Sequence, residues 1–66
     1  MDELKIRLLA ERDDLIDKLT KLQEFISTEK FFELPYPVKD LMGRQVYYMA
    51  GYLLCLKQRM QILGIE

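Results

Sequence analysis

Histidine and tryptophan are absent from this 66-residue sequence, and cysteine occurs once, as Cys55. A lone cysteine cannot form an internal disulfide, and without histidine the usual mixed zinc ligand sets cannot be completed. A nucleophile also needs a neighbouring base, a role that histidine fills most often. We therefore expect neither catalysis nor a metal or other cofactor. Because Cys55 lies on an apolar row of a predicted helix, we expect it to be a buried packing thiol.

Other functional signals are also missing. The three glycines are dispersed, so no glycine-rich phosphate loop is present. No apolar run approaches the ~18 residues of a membrane span, and the acidic N-terminus lacks the basic region of a signal peptide. The formal net charge is -1, whereas nucleic-acid-binding domains are normally basic. The sequence thus predicts a cytoplasmic protein that binds neither membrane nor DNA.

Apolar residues, in contrast, make up 50% of the chain, and their spacing predicts two long helices. The four-three spacing of packed helices keeps one face of each helix toward its partner. In the first helix, residues 2–27, the predicted seam comprises Leu8, Leu15, Leu19, Leu22 and Ile26. In the second helix, residues 37–63, it comprises Val38, Met42, Gln45, Met49, Tyr52, Leu56, Arg59 and Leu63.

The connection between the helices, residues 28–36, contains a short apolar segment that we expect to form a helical elbow. Pro35 and Pro37 interrupt regular helix there, and Pro37 suits the first turn of the second helix. Gly64 is the predicted residue that ends the second helix, followed by a short tail. The expected fold is therefore all-α, a single antiparallel two-helix hairpin domain over residues 1–66.

The second helix carries more apolar surface than one short partner helix can cover. A chain of this length is also near the lower limit for a core of its own, so contacts between subunits are the economical way to bury the excess. We therefore expect a helical homo-oligomer built on residues 37–63. Small residues inside a helix cost propensity and are tolerated where another backbone approaches closely. The predicted interface consists of Gly43, Tyr47, Ala50, Gly51 and Leu54.

Tyrosines and arginines on the same helix suggest recognition of a ligand. Aromatic rings stack on nucleobases, and arginines hold phosphates through paired hydrogen bonds. If symmetry brings two such helices together, they can line a nucleotide pocket. The candidate ligand-binding residues are Arg44, Tyr48, Tyr52 and Arg59, with Arg12 in support. The alternative is that the tyrosines are core and interface residues. For Arg12 the alternative is pairing with an acid or glutamine of the facing helix.

The run FISTEKFFELPYPVKDLMGRQVYYMAGYLLCLKQRM, preceded by LLAERDDLIDKLTKLQ, resembles a group of very small bacteriophage proteins related to one from crAss-like phages. Their pattern is a charged helix, an aromatic elbow and a helix with fixed polar and apolar positions. Here the matching residues are Phe25, Ile26, Phe31 or Phe32, Leu34, Gln45, Met49, Tyr52, Leu56 and Arg59. The chain departs from the pattern at Pro35 and Pro37, where polar residues are expected.

This resemblance implies a phage or prophage origin and a bacterial host cytoplasm as the location. Tiny non-enzymatic phage proteins commonly block host defences, as anti-CBASS and anti-Thoeris sponges do. The implied function is neutralisation of a host-defence component, either a protein or a cyclic or ADP-ribose-type nucleotide signal. The alternative is a structural or adaptor helical oligomer with no small-molecule ligand. The residues leave both interpretations open.

Overall fold

The computed structural model describes residues 2–65, and this part of the chain contains helices but no strand. The helices are α1 (Asp2–Phe25), α2 (Glu29–Phe32) and α3 (Tyr36–Ile62). The two long helices pack against each other as a hairpin that measures 46 × 15 × 14 Å. The predicted all-α class and hairpin-like arrangement are therefore confirmed.

The elbow between the long helices is fixed by one capping residue and a group of aromatic rings. The Thr28 hydroxyl accepts a hydrogen bond from the backbone N–H of Phe31 at 3.3 Å and donates one to the Phe25 carbonyl at 2.6 Å. Thr28 thus caps α2 and also satisfies a carbonyl at the end of α1. The rings of Phe25 and Phe31 meet edge to face, with centroids 6.2 Å apart. As a result α1 ends at Phe25, two residues before its predicted end.

Helix α3 begins one residue before its predicted start. Pro35 is the N-cap residue and Pro37 lies in the first turn, where its missing N–H leaves no hydrogen bond unmade. Pro35 accepts hydrogen bonds at its carbonyl from the N–H groups of Val38 and Lys39. Lys39 in turn donates to the carbonyl of Phe32 at 3.4 Å, which ties α2 to the start of α3.

The C-terminal end of α3 is a Schellman motif. Gly64 has a φ of +73°, and the N–H of Ile65 donates to the Met60 carbonyl at 2.7 Å. The prediction of a helix-ending glycine is confirmed. Ile65, in the predicted short tail, is not exposed, because its side chain is buried in the core. The motif folds this residue back over the last turn, where it covers Met60.

The core lies along the line where α1 and α3 meet. Its buried side chains are Leu8, Leu15, Leu56, Met60 and Ile65, and Leu9, Met49 and Leu53 pack against them. The predicted seam of α1 is correct at Leu8, Leu15 and Leu19, which are all buried.

The predicted seam of α3 is only partly correct. Leu56 is buried, but Gln45, Tyr52 and Arg59 are exposed. The helix is rotated so that the neighbouring row of Val46, Leu53 and Met60 faces α1 instead. The physical reason is that this rotation buries apolar side chains and leaves an amide and a guanidinium in water, which avoids their desolvation cost.

Candidate functional site

The rotation of α3 leaves an apolar surface on the side of the helix away from α1. We call it the outer face of α3, and it consists of Leu41, Tyr47, Tyr48, Ala50, Gly51, Leu54, Cys55 and Ile62. Every one of these residues is exposed, and Ile62 and Tyr47 are exposed by 86% and 75%. A row of this face, Leu41, Tyr48, Cys55 and Ile62, recurs every seven residues, as in helices that contact another helix along their length. The hairpin itself does not cover this surface.

Two glycines inside α3 are not required by packing within the chain. A Cβ atom added at Gly43 or at Gly51 meets no atom within 4 Å, so neither position needs glycine for packing of the hairpin. Glycine in a helix interior is less favourable than alanine by about 1 kcal/mol. Gly51 lies at the middle of the outer face. Its presence is therefore consistent with close approach of something outside the chain.

A shallow groove of about 390 Å³ lies directly over Gly51. It is lined by Tyr47, Tyr48, Ala50, Gly51 and Leu54. The rings of Tyr47 and Tyr48 pack edge to face, with centroids 5.7 Å apart, and form its wall on the N-terminal side. Four of the five residues predicted for a subunit interface thus lie together with Tyr48, while the fifth, Gly43, does not line this groove.

A second groove, of about 420 Å³, lies one turn toward the N-terminus of α3 and is lined by Leu41, Arg44, Gln45 and Tyr48. The Arg44 guanidinium is 3.1 Å from the Asp40 carboxylate, and the Arg44 side chain is 62% exposed. Arg44 lines the groove while paired with Asp40, and its guanidinium has further N–H donors available for a ligand. This groove therefore combines an aromatic ring, an amide and a cation, a set suited to a polar ligand with a negative charge.

The remaining candidates do not converge on that groove within one chain. Tyr52 and Arg59 are exposed on the same side of α3, but Arg59 follows Arg44 by 15 residues, or about 22 Å along the helix axis. A mononucleotide cannot touch both arginines of one chain. Arg44 and Tyr48 therefore share a groove, and Arg59 does not join them there.

Arg12 lies elsewhere, in a groove of about 450 Å³ between α1 and α3. Its side chain is 24% exposed, and its Nε is 3.1 Å from a carboxylate oxygen of Asp13 on the same helix. The facing residues of α3 include Lys57 and Gln61, and Gln61 is a glutamine of the facing helix, the kind of neighbour that the alternative for Arg12 names. The structure thus does not bring Arg12 to the other four candidates.

Cys55 is exposed, so the expectation of a buried packing thiol is wrong. It lies on the outer face of α3 because the helix is rotated relative to the predicted seam. The same rotation exposes Leu41 and Ile62, which the sequence did not identify as part of a site. Their heptad spacing with Cys55 was the available signal, but it is equally typical of a row packed inside the hairpin.

Residues 2–65 contain neither a candidate metal site nor a candidate membrane-spanning helix. Within that range, histidine, cysteine, aspartate and glutamate form no cluster of three that could hold a metal ion. The helices described there also lack the length of apolar sequence that crossing a bilayer requires.

Comparison with known proteins gives one match. The model of a protein family described as Sequestin matches residues 2–62, which covers all three helices. Comparisons with curated proteins and with solved structures gave no match.

Proposed function

The chain belongs to the Sequestin family, and we propose that it acts as a stoichiometric binding protein that sequesters a host-defence component. The family description itself indicates a sequestering role. The observation that carries the proposal in this molecule is the outer face of α3, which the hairpin leaves open along the length of its longest helix. A phage or prophage origin and action in the bacterial cytoplasm are part of the proposal.

We propose that the protein is not an enzyme. Its exposed tyrosines and arginines have no histidine beside them, and the sequence contains none. Arginine stays protonated near neutral pH and therefore does not act as a base. The groups available in the grooves of α3 can hold a ligand by stacking and by hydrogen bonds, and no histidine is present to activate a water or a nucleophile.

The proposed ligand is a nucleotide signal of the cyclic or ADP-ribose type. Arg44 offers its guanidinium to phosphate, and Tyr48 and Tyr52 offer exposed rings to a base. Stacking of one base on an aromatic side chain contributes about 1–3 kcal/mol. Arg59 and Arg12 are the weaker members of the set, because each is separated from the Arg44 groove within one chain.

The outer face also supports a second function, that of a structural or adaptor oligomer without a small ligand. The apolar character of the outer face favours the adaptor function. Leu41, Leu54 and Ile62 offer contact area but have no polar atoms in their side chains with which to recognise a small ligand. The two functions differ in which residues matter. An adaptor depends on the apolar residues alone, whereas a nucleotide-binding protein also depends on Arg44 and Tyr52.

Isothermal titration calorimetry separates the two. Purified protein is titrated with ADP-ribose, cyclic AMP and cyclic dinucleotides, in parallel with the variant Arg44→Ala/Tyr52→Ala and the control variant Lys21→Ala. Lys21 pairs with Asp17 at 3.0 Å on the exposed side of α1 and lines neither of the two grooves on the outer side of α3. We expect binding by the wild type and the control, and loss of binding without loss of helicity in the double variant. Absence of binding to every nucleotide refutes the nucleotide ligand.

A further inference from the structure

The area of exposed surface points to what covers the outer face of α3. The chain exposes 5283 Å². A compact monomer of its mass, 7.9 kDa, is expected to expose about 4400 Å². The excess of about 900 Å² is close to the ~800 Å² that each partner contributes to a stable interface of standard size. A second copy of the chain presents the same unpartnered surface and can bury the excess on both sides at once.

The distribution of side-chain size along the outer face favours an antiparallel pair. N-terminal to Gly51 the face carries the large rings of Tyr47 and Tyr48, and C-terminal to it the smaller Leu54 and Cys55. A parallel pair places tyrosines against tyrosines and small residues against small residues. An antiparallel pair places large residues against small ones, which is the arrangement that lets two helices pack closely.

The single acid and the helix dipoles favour the same direction. Within α3 the only acid is Asp40, near the N-terminal end beside Lys39 and Arg44, and Lys57 and Arg59 lie near the C-terminal end. Because cations lie at both ends, they do not decide the direction. A parallel pair brings Asp40 beside its own copy. An antiparallel pair brings Asp40 toward the second copy's Arg59, and it also opposes the two helix dipoles.

We propose that two copies pair antiparallel through the outer face of α3, crossing beside Gly51, and that each ligand site is completed by the second copy. In this register Leu41 faces the second copy's Ile62, and Tyr48 faces its Cys55. The proposal deepens the proposed function and rests on it for the identity of the ligand. The pairing itself can be tested without any ligand.

The register resolves the separation of the two arginines. In an antiparallel pair, moving four residues back from Tyr48 in one copy corresponds to moving four residues forward from Cys55 in the other. Arg44 of one copy therefore lies at the same height along the pair as Arg59 of the other. The two guanidinium groups then border the groove that contains Tyr48, with Asp40 as the neighbouring acid. Two cations beside one carboxylate leave a positive site, which selects an anionic ligand such as a phosphate group. A pair of chains has two such sites, one at each end.

Disulfide cross-linking tests the direction and register. The variant Tyr48→Cys keeps the native Cys55, and under mild oxidation we expect it to form a covalent dimer through these two residues. The wild type is the first control. Its two Cys55 residues lie about 10 Å apart along the axis of an antiparallel pair, too far for a disulfide. The variant Ile62→Cys is the second control, since residue 62 of one copy is remote from residues 55 and 62 of the other.

A second pair of variants covers the case in which loss of the Tyr48 ring weakens association. Leu41→Cys/Cys55→Ser and Ile62→Cys/Cys55→Ser are prepared separately. We expect neither to cross-link alone and a covalent heterodimer when they are mixed. Cross-linking of the wild type through Cys55, or of each 41 and 62 variant with itself, shows a parallel pair and overturns the proposal. Absence of cross-linking in every variant, with sedimentation as a monomer, also overturns it, whatever calorimetry shows about nucleotides.

Discussion

Gly51→Ala is the substitution whose effect depends most sharply on whether a second copy covers the outer face. In the isolated hairpin a Cβ atom at this position meets nothing within 4 Å. Alanine is favoured over glycine in a helix interior by about 1 kcal/mol, so the substitution stabilises a single chain. For a domain of this size that corresponds to a rise in melting temperature of about 4–8 °C.

In the proposed pair the same methyl group has the opposite effect. Gly51 lies where the two α3 helices come closest, so two added methyl groups enter one crossing point. Overfilling a packed contact costs about 1–3 kcal/mol, which cancels or exceeds the gain in helix propensity. Because association makes the melting temperature rise with protein concentration, the sign of the change depends on concentration. We expect stabilisation at high dilution and destabilisation at concentrations where the wild type is paired.

Thermal unfolding followed by circular dichroism over a wide concentration range measures both regimes, with sedimentation to report the oligomer at each concentration. Gly43→Ala is the matched control. It has the same open surroundings but lies about 12 Å along the helix from Gly51, away from the crossing. We expect it to stabilise at every concentration. If Gly51→Ala also stabilises at every concentration and leaves sedimentation unchanged, then no second helix approaches Gly51, which contradicts the proposed pairing.

Three further predictions concern the core, the end of α3 and the shared site. Leu56→Ala removes a side chain that is 0% exposed and should cost about 2–5 kcal/mol, enough to unfold much of the chain in a urea titration. Gly64→Ala places a Cβ atom on a residue with a φ of +73° and should lower the free energy of unfolding by about 1–2 kcal/mol. Gly43→Ala, the control, should not lower it. An unchanged urea midpoint for Gly64→Ala contradicts the role of the Schellman motif. Arg44→Ala and Arg59→Ala should each lose nucleotide binding, and mixing the two should restore about a quarter of the sites, because about half of the pairs are mixed and each has one intact site. Calorimetry of the mixture that shows no recovery contradicts a site shared between chains.

The sequence predicted the helices well because their signals are local. Helix spacing, Pro37 in a first turn and Gly64 at a helix end all act within a few residues of the chain. The rotation of α3 was harder to predict. Apolar residues occur on three adjacent rows of that helix, so spacing alone did not decide which row faces α1. Burial of Met60 and exposure of Arg59 decide it, through the cost of desolvating a charge.

The candidate site depended on that rotation and was therefore predicted less completely. Arg44 and Tyr48 line one groove, since they are one turn apart on one helix. Arg12 was grouped with them although it lies in a different groove, because the direction in which a residue of α1 points is set by tertiary packing. Cys55 was expected to be buried because it lies on an apolar row of α3. Its exposure became clear only once the facing row of α3 was known.

We propose that the protein holds an intact nucleotide signal rather than destroying it. The direct measurement uses a small-molecule filtrate from bacteria in which a nucleotide-signalled defence has been triggered, assayed for its power to activate the purified defence effector. We predict that adding the protein at stoichiometric amounts abolishes activation, and that heating the mixture to unfold the protein restores it. If heating does not restore activation of the effector, the signal has been chemically destroyed. If activation persists in the presence of excess protein, the signal has not been sequestered. Either result contradicts the proposed function.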